Sequence, residues 1–307
     1  MGGVMTEKLV RGVSAAVLTP RLPDGNVDAP SLRKLLEFLL DRGISSFALN
    51  GATGEFCITT PTQLRTLLST AKEVAGNAAE FLCGAGAPDT AGSIVFARIA
   101  QDAGVKGLLL PMPYFFPYQQ GDLEQFSRGV AAAVSLPVLL YNLPQFTSGL
   151  QKETVHTLIT EVPNIIGIKD SGGSLDILRH LSEQRVDACR IVGDDSVLSA
   201  ALRAKVCDGV ISGVACGVPE LILALYNRGE QDGSVEFAQA TQALDELIAQ
   251  LSGFPTPWGL KWIAQARGVL QATFPLPNSP ARTAQGRQFE RWFKEWFHFW
   301  FKFWSQS

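Results

Sequence analysis

At 307 residues and 46% hydrophobic side chains, the chain is long enough for one large domain or two small ones and can bury a sizeable core. A formal charge of −3 gives no electrostatic ground for binding nucleic acid or an acidic membrane surface. The five cysteines (Cys57, Cys83, Cys189, Cys207 and Cys216) are widely spaced and contain no C-x-x-C, which argues against a disulfide framework or zinc site and for a reducing compartment.

The N-terminus lacks a basic-then-apolar signal pattern, and no apolar run is long enough to cross a bilayer as an ordinary helix. The expectation is a soluble cytoplasmic protein without a membrane partner. In chain order, Val13 to Pro20 reads as a strand ended by proline. Asp28 to Arg42 carries Leu32, Leu35, Leu36 and Leu39 at helical spacing and stops at Gly43. Phe47 to Asn50 is the next apolar run, followed by a glycine-rich turn and a helix from about Thr62 to Val74. Further strands fall near Phe81–Gly84, Gly107–Pro111, Pro137–Asn142, Ile165–Lys169, Arg190–Gly193 and Gly209–Gly213. Amphipathic segments such as Thr90–Ala103, Leu123–Val134, Lys152–Val162 and Leu175–Gln184 separate them.

Strict strand–helix alternation implies a parallel sheet. Eight such units over roughly 230 residues match a closed (β/α)₈ barrel, the TIM barrel. A doubly wound open sheet is the rival, but the first strand–turn–helix has no glycine fingerprint for a dinucleotide. From about Pro219 the pattern turns helical, with segments at Phe237–Leu251, Trp258–Ala266 and from Gln285. The division expected is a catalytic barrel over 1–218 and a helical appendix over 219–307, ending in an aromatic tail, 288–307. In that tail Trp292, Trp296, Trp300 and Trp304 stand four apart, shadowed by Phe289, Phe293, Phe297 and Phe301. Such rows share one helix face, to be buried on the barrel or on a neighbouring subunit, while Phe299 and Phe303 widen the stripe.

In a barrel of this kind the working residues sit at the C-terminal strand ends. Ile165-Ile166-Gly167-Ile168 runs apolar into Lys169, then Asp170 and Ser171. A lysine shut from water there is a neutral, nucleophilic amine in waiting, the reagent for a Schiff base with a carbonyl. The alternative is that Lys169 caps the strand and pairs with Asp170. Tyr141 ends the neighbouring strand, placed to exchange protons beside the amine or simply to pack in the core. The loop Gly51-Ala52-Thr53-Gly54 offers backbone N–H groups at glycine-permitted angles and one hydroxyl, a cradle for a carboxylate or an ordinary turn with a capping threonine. Glu55 is expected to brace this loop. His156, His180 and His298 fall on helices, and neither a histidine-based triad nor a metal site is expected.

Taken in order, Gly51-x-Thr53-Gly54-Glu55, Tyr141-Asn142-x-Pro144, Gly167-Ile168-Lys169-Asp170, Gly193-Asp194-Asp195 and Gly209-Val210-Ile211-Ser212 resemble the dihydrodipicolinate synthase/N-acetylneuraminate lyase family. The resemblance runs to about Gly268 and leaves the tail after Arg287 outside. It implies a TIM barrel, a homotetramer built as a dimer of dimers, and class I aldolase chemistry on pyruvate or a pyruvate-yielding 2-oxo acid, with no metal or organic cofactor. Carried over, Lys169 would form the Schiff base, Tyr141 would shuttle the proton, and Thr53 with Gly51, Ala52 and Gly54 would hold the pyruvyl carboxylate. Gly193 and Ile211 would line the pyruvyl pocket, and Tyr114 or Phe115 would take the place of a tyrosine lent by the neighbouring subunit.

Two positions depart from the synthase branch. Ala52 lacks a hydroxyl that relays protons, and Phe146 stands where an arginine binds the second substrate's carboxylate; Arg21 or Lys261 would have to replace that arginine. The expectation is a lyase or aldolase acting on a 2-oxo acid. The alternatives are the synthase itself, a keto-deoxy sugar acid dehydratase, or a non-catalytic barrel that binds a 2-oxo acid.

Overall fold

The computed structural model describes residues 9–229 and 233–304; residues 1–8, 230–232 and 305–307, parts of the expected barrel, appendix and tail, lie outside the described residues. The strands are β1 (Gly12–Ala16), β2 (Ser46–Leu49), β3 (Glu80–Gly84), β4 (Gly107–Pro111), β5 (Val138–Asn142), β6 (Ile165–Asp170), β7 (Cys189–Val192) and β8 (Gly209–Ser212). They pair in chain order, all parallel, and β8 returns to β1 through the register Gly12–Gly209 to Ala15–Ser212. That closure rules out the open doubly wound sheet. The fold is the expected (β/α)₈ barrel with a C-terminal helical part.

Closing the sheet and wrapping it in helices buries both faces, which is why the strands read as apolar runs. Leu109, Leu139, Tyr141, Ile191 and Ile211 pack together inside, while Leu108, Leu110, Leu140, Val192 and Val210 pack under the helices. Helix α1 (Ala29–Leu40) begins where the Asp28 carboxylate accepts from the Ser31 N–H and buries the four predicted leucines; Gly43, at φ 81°, turns the chain away. Helix α2 (Pro61–Ala75) opens on a capping box between Thr60 and Gln63. Then come α3 (Thr90–Asp102), α4 (Gln120–Ala132), α5 (Lys152–Glu161) and α6 (Asp176–Glu183). Helix α7 (Leu198–Ala204) follows β7 as the alternation implies, but its bounds are not legible in sequence, because seven residues are too few to display a helical period.

After β8 the chain forms α8 (Val214–Gly217), α9 (Pro219–Asn227), α10 (Val235–Leu251), α11 (Trp258–Ala266) and α12 (Pro280–Trp304). Helix α12 starts at Pro280, five residues before the expected Gln285, since proline suits a first turn. Its stripe is buried at Phe289, Phe293, Trp296, Trp300 and Trp304, against α9, α10 and α11. At the crossing with α11, a Cβ on Gly286 would lie 2.3 Å from the Trp262 ring, so only glycine lets the helices approach so closely. No described helix is long and apolar enough to cross a membrane.

Candidate active site

Between β5 and β6 the register slips once: Val138 faces Ile165, but Leu139 faces Gly167, after which Tyr141 stands opposite Lys169. A one-residue slip reverses the face that each side chain takes. The slip therefore places Lys169 on the inner face beside Tyr141. The Lys169 Nζ donates to the Tyr141 hydroxyl at 2.8 Å and lies 4.0 Å from the centroid of its ring. Both side chains are 2% exposed.

The alternative partner for Lys169 is engaged elsewhere. Asp170 accepts from the Asn142 amide at 2.8 Å and from the Gly172 N–H at 2.9 Å; burial raises its pKa, and these bonds only partly oppose the rise. Among the described residues no carboxylate forms an ion pair with Lys169. Room for the lysine stem comes from the residue that follows β7: a Cβ on Gly193 would sit 2.6 Å from Lys169 Cε and 2.3 Å from Ser171 Oγ. Glycine is required there by contact, not by backbone angle.

Lys169 and Tyr141 line a cavity of about 370 Å³. Ala52, Thr53, Phe146 and Gly193 line it with them. Gly51, Gly54, Tyr114, Phe115 and Ile211 do not. Ile211 is fully buried in the barrel interior below the cavity. Tyr114 turns its ring edge-on to Phe56 at 5.7 Å, and Phe115 is 86% exposed with φ 85°.

The loop after β2 also bends differently from the expectation. Its left-handed residues are Asn50 (φ 53°) and Glu55 (φ 57°), with Gly51 and Gly54 between them at ordinary angles. Asparagine tolerates that region. The Asn50 amide is further held by the Gly84 carbonyl at 2.8 Å, and a Cβ on Gly84 would collide with the Asn50 carbonyl. Glu55 braces the loop through a buried ion pair, its Oε2 lying 2.7 Å from Lys261 Nζ on α11. Lys261 also donates to the Thr273 carbonyl, and Arg21 is spent on Gly25, Gln63 and Thr59. Neither cation lines the cavity.

Several lining groups escaped the sequence reading. Ile248 and Leu251 of α10, Phe254 and Pro255 after it, and Leu260 of α11 roof the cavity. Ser171, noticed in sequence without a role, is buried there with a hydroxyl that bonds to no described residue. Asp195 also lines it; burial pushes its carboxyl up to about 6, against bonds from Ser212 and the Val214 N–H and the positive charge of Lys169. The histidines stay outside: His156 and His180 face each other at 3.3 Å between α5 and α6.

A model of the dihydrodipicolinate synthetase family matches residues 9–295. The 4-hydroxy-tetrahydrodipicolinate synthase of Bacillus subtilis is 32% identical over 87% of this chain and 93% of its own. Among solved structures, the corresponding synthase from Methylacidiphilum fumariolicum SolV superposes with a TM-score of 0.86 at 27% identity, covering 96% of this chain and 99% of that one. A chloride-inhibited dihydrodipicolinate synthase from Acinetobacter baumannii, complexed with pyruvate, gives the same score and identity over 94% and 99%. A family match running over nearly the whole barrel, with relatives of the same length and fold, makes this chain a member of the dihydrodipicolinate synthetase family and an enzyme of its class I lyase and aldolase kind.

Proposed function

We propose that the enzyme is a Schiff-base lyase or aldolase for a 2-oxo acid whose distal half is uncharged, releasing or taking up pyruvate. The observation that carries this reading is the buried Lys169 amine, 2.8 Å from a phenol and free of any ion pair to a described residue, in a cavity whose other described lining residues include no basic side chain. The pyruvate complex of the Acinetobacter relative supports the small-molecule class.

In this mechanism Lys169 Nζ adds to the C2 carbonyl of the substrate, and the carbinolamine loses water as Tyr141 donates the proton. The product is an iminium, an electron sink next to C3. In the cleavage direction the Tyr141 phenolate takes the C4 hydroxyl proton, the C3–C4 bond breaks, and its electrons form the enamine while an aldehyde departs. Protonation of C3 and hydrolysis of the imine then release pyruvate and free the lysine. Thr53 and Ala52, the residues of the loop that line the cavity, hold the pyruvyl carboxylate through the Thr53 hydroxyl and their N–H groups. Ser171 offers its unpartnered hydroxyl to the polar part of the substrate.

The distal half meets Leu143, Phe146, Ile248, Leu251, Phe254 and Leu260. A carboxylate set against these groups would lack the charge-assisted contact it needs, at a cost of several kcal/mol. The names of the relatives favour a second reading, condensation of pyruvate with aspartate semialdehyde, which Ala52 and Phe146 disfavour. The exposed Phe115 and Phe116 would be covered by a neighbouring copy in the homotetramer expected of this family. The deciding experiment compares kcat/KM for aspartate semialdehyde condensation with kcat/KM for pyruvate release from 2-oxo acids bearing neutral distal groups. Efficient semialdehyde condensation would overturn the proposal in favour of the synthase.

A further inference from the structure

Helix α10 has a second working face. Ile248 and Leu251 roof the catalytic cavity, whereas Gln239, Gln242 and Glu246 lie on the opposite side of the same helix, where they and α12 enclose another cleft. Its volume, about 580 Å³, is within the range of small-molecule sites. Five rings, those of Trp292, Trp296, Phe299, Trp300 and Phe303, supply most of its wall. The charged groups lining it are Glu246 and Glu295, and no basic side chain lines it.

We infer that this cleft binds a small quaternary ammonium compound. Aromatic faces attract cations through their quadrupole, and the chain already demonstrates this at the rim: Lys302 Nζ lies 4.8 Å from the Phe299 centroid and 5.0 Å from that of Phe303. Glu246 adds uncompensated negative charge. Its Oε2 accepts from Trp300 Nε1 at 2.9 Å and its Oε1 from the Gln242 amide at 3.0 Å, both neutral donors. Neither Glu246 nor Glu295 forms an ion pair with a described residue.

The rings select the kind of cation. A primary ammonium is a compact, strongly hydrated charge that gives up hydrogen bonds to water on entering a wall made mostly of rings. A quaternary ammonium carries no donors, and draws only on charge and ring faces. The binding reading is independent of the chemistry proposed for Lys169, because its readout is tryptophan emission and not turnover.

The test is a titration with choline chloride, against sodium chloride at equal ionic strength, followed by intrinsic fluorescence. Choline should give a saturable change with a Kd on the order of 1 mM. Its neutral isostere, 3,3-dimethylbutan-1-ol, should bind at least about 10-fold more weakly if charge is the attraction. Glu246→Gln, which keeps an acceptor for Trp300, and the exposed Glu295→Gln should each weaken choline by about 2- to 5-fold. Lys302→Gln should tighten it by about 2-fold, having removed the competing cation. Equal binding of the isostere, no saturable response, or unchanged affinity in Glu295→Gln would overturn the inference. The last variant touches no described hydrogen bond, so a folding defect cannot obscure it.

Discussion

Lys169 at the end of β6 and Lys261 in α11 are both sealed from water, at 2% and 3% exposure, yet their surroundings differ. Lys261 meets the Glu55 carboxylate at 2.7 Å and the Thr273 carbonyl at 2.8 Å. Burial pulls its pKa down while Glu55 pushes it back up. Lys169 meets a phenol and the face of its ring. The first lysine fastens α11 to the loop after β2; the second has an amine that no carboxylate occupies. Burial alone therefore does not separate the two lysines. The neighbour does.

The sharpest way to break this comparison is chemical. Pyruvate with borohydride should add one reduced pyruvyl group to the protein, mapped by peptide mass to Lys169, and Lys169→Ala should reduce labelling and turnover to background. An adduct on Lys261, or labelling that survives in Lys169→Ala, would remove the distinction. Tyr141→Phe comes next. It deletes the hydroxyl 2.8 Å from Nζ and almost no volume. Loss of a general acid–base group costs about 10²- to 10⁴-fold, so kcat should fall by that order while adduct formation slows. An unchanged rate would reduce Tyr141 to a packing residue.

The converse test falls on Lys261. Replacing it by methionine leaves Glu55 buried and unpaired, and breaking such a pair by removing one partner costs roughly 3–5 kcal/mol. Urea unfolding should report that loss, and adding Glu55→Gln should recover part of it by removing the stranded charge. The adduct should still form on Lys169 in both variants. A loss below about 1 kcal/mol would mean that the pair fastens nothing.

What the sequence disclosed, and what it withheld, follows the same physics. The strands were legible because a parallel barrel needs apolar residues on both faces, and Lys169 was conspicuous as a cation ending such a run. Tyr141 was legible as the end of an adjacent strand and through its Tyr-Asn-x-Pro motif; the slip at Val138 and Leu139 that brings it opposite Lys169 has no local signature. The loop after β2 misled, because glycines advertise unusual angles while Asn50 and Glu55, held by Gly84 and Lys261, adopt them. The cavity roof was hidden altogether. Ile248, Leu251 and Leu260 look like any buried helix face, and nothing local reveals that this face closes a barrel mouth.

The smallest expected effect concerns the acid that does share the field of Lys169. Asp195 is 8% exposed, its Oδ2 accepts from the Val214 N–H at 3.0 Å, and its Oδ1 bonds to no described residue. Burial raises its carboxyl from 3.8 to about 6. For an acid whose folded pKa lies above its unfolded one, the native state holds the proton more tightly. Its contribution to stability is therefore complete below about pH 4 and is lost as pH rises through about 6. The size is on the order of 1–3 kcal/mol. Asp195→Asn keeps an acceptor for Val214 and cannot ionise. Unfolding of the variant, followed in urea from pH 4 to pH 7.5, should lack this downward component, and the gap between variant and wild type should widen toward neutral pH. Parallel curves would show that Asp195 ionises in the fold as readily as in the unfolded chain. Between pH 4 and pH 6 Lys169 would then have an acidic neighbour that is already charged, and in that range the contrast between the two lysines would rest on contact alone.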